Sequence, residues 1–290
     1  MPRSSGLRAF VVAAGALAGR ASAQADLATL VRVGTARYHD QAAAIADGYR
    51  RVGPDFPSMG EHWVNAALLV SGVLDPARPQ VLEYATIGGE PRLLGVAFAV
   101  LVDSAPPTGL PVPPSAWHTH AGTVDEESFV LSHAEAEAHG HHEMSGPRVA
   151  ILHAWVWLDN PAGLLATDNW AVPFARLGFA VPEGVTPAAG RAAALAAGGA
   201  RYFATLVRVV AHPDSAEQAR LDSVLATVAS LVSDTLGRGT GGTVLSAARV
   251  TYLDAAWEHT WNTLLDAASP PVREKLTALT FAPGPNPWRH

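Results

Sequence analysis

Cysteine is absent from all 290 residues. Disulfides, thiolate nucleophiles and sulfur-ligated metal clusters are therefore excluded. Lysine is almost absent as well: Lys275 stands alone beside 19 arginines, and 26 acidic residues bring the formal net charge to −6. No Lys/Arg stripe can track a phosphate backbone, so nucleic acid is not an expected partner. Several sequence motifs are also missing. The stretch Gly237–Gly242 lacks the Lys-Ser/Thr of a phosphate loop. There is no Gly-x-Ser-x-Gly elbow of a serine hydrolase and no His-Glu-x-x-His helix of a zinc protease. Beyond the N-terminus no run of 18 apolar residues is free of charge, so membrane insertion is not expected once the N-terminal segment is removed. With 49% hydrophobic and 16% charged residues, the chain can nevertheless bury a large core.

The N-terminus has the features of an export signal. Arg3 and Arg8 precede the apolar run Ala9–Ala18, and Ala21-Ser22-Ala23 has small residues at the cleavage spacing. Residues 1–23 are expected to be a signal peptide, which places the mature protein in the periplasm or outside the cell.

Residues 24–185 read as a helix followed by a β-rich domain. A helix, or two shorter ones divided by Gly34 and Gly48, is expected over 26–52, with Asp26 as N-cap and Gly53-Pro54 as its end. Gln80–Thr86 and Arg92–Val102 read as strands joined by a Gly88-Gly89 hairpin. Trp117–Gly122 and Arg148–Leu158 read as further strands. Residues 186–282 are alanine-rich with helical spacing. Thr186-Pro187 starts a helix, and Asp214-Ser-Ala-Glu217 has the form of a capping box. Thr243–Ala267 and a segment from Ser269-Pro270 complete a helical hairpin or small bundle, and 283–290 is an irregular tail. The fold class is α+β: an N-terminal helical segment, an antiparallel β-rich core and C-terminal helices.

The abundant functional residue type is histidine, with 12 in the chain and seven of them between His118 and His153. His118 and His120 lie two apart on a strand and so face one way, at the spacing of two imidazoles on one cation. Glu126 and Glu127 follow within a loop and supply either a hard oxygen ligand or a general base. His153 shares a strand face with Val149, Ile151, Trp155 and Trp157, where an imidazole needs a partner. Its alternatives are metal ligation or a neutral core histidine satisfied by a backbone carbonyl or by Asp159-Asn160. His62 is a candidate fourth ligand or a strand-edge residue. A nitrogen and oxygen donor set of this kind suits zinc, copper or iron. Trp117, Trp155 and Trp157 read as exposed walls of an apolar pocket for a small molecule. The run His133–Glu143 reads as a solvated face, and His259 as a packed helix residue.

Two resemblances follow from these motifs. His118-x-His120, then Glu126, then His153 with Asn160 beyond it, is similar to the cupin metal motif, which implies a cupin-like core. Met59-Gly60-Glu61-His62-Trp63-Val64-Asn65, Pro79-x-Val81-Leu82-x-Tyr84, His153-Ala154-Trp155-Val156-Trp157 and Asn160-Pro161-Ala162-Gly163 occur in an order that resembles a family of exported bacterial proteins. That resemblance covers roughly residues 30–180. It implies one unit containing His62 and His153, and it implies no reaction. The two functional expectations are a divalent-metal-binding protein and a non-catalytic periplasmic binding or interaction module.

Overall fold

The computed structural model describes residues 22–102, 106–121, 148–240 and 242–278. Residues 1–21 of the expected signal peptide, Glu126, Glu127 and the His133–Glu143 run lie outside the described residues.

Residues 22–35 form helix α1, whose Leu27, Ala28 and Val31 recur at helical spacing and are buried. A 3-10 turn at Ala36–His39 and the short helix α2 (Gln41–Ala46) follow. The Asp40 side chain caps α2 by accepting from the Ala42 amide at 2.9 Å. The helix expected to reach residue 52 therefore stops at Ala46, and Gly48 turns the chain at φ 96°. Strand β1 (Tyr49–Phe56) takes its place, with a register shift between Val52 and Asp55 around Gly53-Pro54. Its middle residues are exposed, so no apolar alternation marks it in the sequence.

Strands β2 (Gly60–Asn65), β3 (Val81–Ile87), β4 (Glu90–Val102), β5 (His118–Ala121) and β6 (Arg148–Ala154) complete one antiparallel sheet in the order β1-β2-β3-β4-β6-β5. Helix α3 (Ala66–Ser71) bridges β2 and the loop before β3. The β3–β4 hairpin closes through Gly88 and Gly89, both at positive φ, as a two-residue turn requires. β6 ends at Ala154 rather than at Leu158.

The two faces of the sheet differ in kind. On one, Leu82, Val96, Phe98 and Leu152 pack against Leu27, Val31 and Tyr38 from the N-terminal helical segment, and Trp117 is buried among them. Each such side chain contributes about 1.5–3 kcal/mol on burial. On the other face the middle of the central strand carries the small residues Gly95, Ala97 and Ala99; the two alanines pack with Val81 and are flanked by Val64, Val149 and Ile151. That shallow face holds the polar residues described below.

Helix α4 (Ala171–Arg176) forms inside the segment read as β-rich. The C-terminal part that follows is helical, as the spacing indicates: α5 (Pro187–Ala194), α6 (Ala200–Ala211), α7 (Ser215–Leu236), α8 (Ala247–Ala267) and α9 (Pro270–Ala278). Thr186 caps α5 as expected, accepting from the Ala189 amide at 3.1 Å. A π turn at Leu195–Gly199 runs α5 into α6. Pro187–Ala211 is thereby long and apolar enough to cross a membrane. Its Ala192, Leu195, Phe203, Leu206 and Val210 instead join the core shared with α7, α8 and α9. The α8 helix begins at Ala247, later than expected, because Thr243–Val244 (β8) pairs in parallel with Phe179–Ala180 (β7).

The capping box is only half formed. Asp214 accepts from the Glu217 amide at 2.8 Å, but the Glu217 carboxylate turns to Ser269, accepting from its amide at 2.6 Å and its hydroxyl at 3.0 Å. It thus ties the start of α7 to the start of α9. The sheet and the helices meet where Phe56 touches Tyr202 edge-on and where Arg191 lies between the rings of Trp170 and Trp257 at 5.4 and 5.6 Å.

Candidate metal centre

The sheet register builds the site. His62 on β2 pairs with Glu83 on β3, Glu83 pairs with Gly95 on β4, and Ala97 on β4 pairs with His153 on β6. Paired residues on an antiparallel sheet share a face. His62, Glu83 and His153 therefore rise from the shallow face on three different strands. β3 and β6 are not neighbours, and two strand spacings separate them by about 9.6 Å. Their side chains meet only because Gly95 and Ala97 leave the space above β4 empty. A side chain at Gly95 would put its Cβ 2.8 Å from the Ala154 carbonyl oxygen, 3.0 Å from Glu83 Oε2 and 3.1 Å from Trp155 Cε3.

His153 Nδ1 and Glu83 Oε1 share a short hydrogen bond. His62 Nε2 stands 3.7 Å from the same oxygen. One donor atom from each of the three lies within 4.8 Å of the others. Glu83 is fully buried and His153 is 2% exposed, whereas the His62 side chain is 18% exposed. Burial pushes the Glu83 carboxyl above its ordinary range, and His153 pulls in the opposite direction. Glu83 Oε2 is buried with no hydrogen-bond partner among the described residues. A carboxylate oxygen left in that state costs free energy unless something positive meets it.

Neighbouring rings fix the imidazoles. His153 is held between two nearly parallel rings, His118 at 5.2 Å and Trp155 at 5.7 Å. The Trp155 indole N–H donates to the Ala166 carbonyl at 2.6 Å, which anchors that side of the stack. Phe56 meets His62 edge-on at 5.0 Å.

The structure thus brings together two of the expected histidines, His62 and His153, and adds Glu83. His118 registers opposite Ile151, on the same face, and reaches the site as a ring stacked on His153 rather than as a member of the three-donor cluster. His120 registers opposite Val149. Trp117 and Trp155 are buried, at 2% and 1% exposure, so neither is the exposed pocket wall expected; Trp117 belongs to the opposite face. His259 is exposed, not packed. The Asn160 carbonyl closes a tight turn, accepting from the Gly163 amide at 2.9 Å with Gly163 at φ 108°.

Glu83 was the residue missed. Its signal was visible: an acidic residue between Leu82 and Tyr84 in an apolar strand. A second signal was the small-residue stripe Gly95, Ala97, Ala99 alternating with Leu94, Val96, Phe98. No family model, no curated protein and no solved structure matches this chain.

Proposed function

We propose that the protein binds a divalent metal ion through His62, Glu83 and His153. The observation that carries this reading is the convergence of three donor side chains from three strands on a fully buried carboxylate whose second oxygen lacks a protein partner. Two nitrogens and one oxygen, with no sulfur available, suit zinc, copper or iron. A cation here takes the place of the proton shared by His153 and Glu83. Three protein ligands leave a fourth position open, the pattern of sites that bind water or a small molecule rather than purely structural ones. His62, the most exposed of the three, marks the side from which that position is reached. His118, stacked on His153, is a further imidazole beside this centre. Export to the periplasm belongs to the same proposal and rests on residues 1–23.

The second reading is a non-catalytic module in which His153 and Glu83 serve only each other. Their mutual hydrogen bond favours it. Metal analysis of untagged protein decides between the two. Near one zinc, copper or iron per chain, with a rise in melting temperature on adding the same ion, supports the site. Less than about 0.2 ion per chain with no thermal shift refutes it, because a ligand that binds only the folded state must stabilise it.

A further inference from the structure

A second site lies away from the histidines, at the end of the sheet where the β3–β4 turn approaches the end of α4. A cleft of about 730 Å³ opens there, lined among others by Asp55, Gly88, Gly89, Arg176 and Arg238. That volume is within the range of small-molecule sites, about 300–1,000 Å³, and far exceeds the space taken by one bare ion.

The backbone is arranged to bring the two arginines together. Gly178 and Gly239 cross so closely that a Cβ on either would sit 2.3 Å from the other's carbonyl oxygen. The Gly239 amide donates to the Leu177 carbonyl at 2.9 Å, which locks the crossing. Arg176 is two residues before one glycine and Arg238 one residue before the other, so segments distant in sequence deliver two guanidinium groups to one cleft. Arg238 Nη1 makes only a long bond to the Arg176 carbonyl, 3.3 Å, and meets no carboxylate among the described residues. Arg176 donates through Nη2 to Asp55 at 2.6 Å, while its buried Nε has no partner among the described residues. Two cations face a single carboxylate, in a chain whose net charge is −6. At Gly88 and Gly89, which also line the cleft, a side chain would meet nothing within 4 Å.

We infer that this cleft binds a small organic oxyanion, with Arg238 and the free edge of Arg176 gripping its carboxylate or phosphate group. Guanidinium forks match the geometry of both groups. The inference is independent of the metal centre, which lies on other residues.

Calorimetric titration of the full mature chain tests it, with succinate as the dicarboxylate probe and glycerol 3-phosphate as the phosphate ester. Binding of either probe below about 1 mM, weakened at least tenfold by Arg238→Gln and unchanged by Arg220→Gln on a distant surface, supports the site. The probe that binds more tightly identifies the anion class. No binding of either probe overturns the inference. So does binding that Arg238→Gln leaves intact, or that Arg220→Gln weakens equally, since that is bulk charge attraction. Should Arg238→Gln fail to fold, Arg238→Lys keeps the charge without the planar fork. It is expected to weaken binding severalfold, and full retention of affinity overturns the inference.

Discussion

Replacing Glu83 by glutamine separates the two readings of the buried cluster. The substitution keeps the shape, removes the negative charge and leaves an amide that can serve His153 Nδ1 as donor or acceptor. In metal-free protein complete burial favours the uncharged form of the Glu83 carboxyl, and Glu83→Gln keeps an uncharged hydrogen-bonding group of the same shape beside His153. The expected change in metal-free stability is small, within about 1–2 kcal/mol. The metal-dependent part behaves differently. An ion at a free concentration 100 times its Kd stabilises the folded state by about 2.7 kcal/mol. An unfolding entropy of about 2.1 cal/mol/K per residue amounts to about 0.6 kcal/mol/K over the whole chain, which makes the thermal shift about 4 °C. Glu83→Gln should abolish most of that shift, because a neutral amide is a far weaker ligand for zinc than a carboxylate. Differential scanning calorimetry with and without zinc, at equal free-ion concentrations, measures both quantities. A variant that melts like the native chain without metal and still gains the full shift would refute direct ligation by Glu83.

Three further outcomes are expected. Gly95→Ala should destabilise the chain by about 1–3 kcal/mol in urea titration and also weaken metal binding, since the added Cβ presses on a carbonyl, an indole ring and Glu83 at once; an unchanged unfolding midpoint would contradict that close packing over β4. The raised Glu83 pKa gives a signed pH effect. The stability it confers on metal-free protein is present below the ordinary carboxyl value near 4.5 and is lost as pH rises through the higher folded value. Relative to Glu83→Gln, the metal-free chain should lose stability with rising pH, while its zinc-induced shift grows from pH 4.5 to pH 7; a shift equal at both values counts against a carboxylate ligand. Finally, Arg191→Ala should cost about 1–3 kcal/mol, because it removes the side chain packed between Trp170 and Trp257, a loss partly offset by relief of the burial that pushes the guanidinium pKa down to about 10; tryptophan fluorescence during unfolding should change with it.

Local patterns made much of the fold legible. The Gly88-Gly89 turn between alternating strands and the Thr186-Pro187 helix start follow from short-range chemistry, and both occur. What depended on register was out of reach. His118-x-His120 drew attention because two residues on one strand can be paired by counting. The observed cluster needs three strands, and Glu83 meets His153 across 70 residues of sequence and over an intervening strand. No spacing rule encodes such a meeting; only the sheet order does. Strand β1 was hidden for a different reason: its exposed middle lacks alternation, and its arginines suit the helical pattern that precedes it. Glu217 shows a third kind of miss, where a sequence that fits a local cap is claimed by a tertiary partner, Ser269.

The irregular first strand also shapes how copies of this protein can meet. Among the described residues β1 stands at one margin of the sheet and is paired on one side only. Its outward groups are interrupted by Pro54, which has no amide hydrogen, by the register shift beside it, and by the exposed side chains of Arg50 and Arg51. Such a margin is a poor template for an incoming strand. The sheet is protected there from growing by edge addition, a safeguard for a chain that must pass through an unfolded state if it is exported and has no disulfide to close it afterwards.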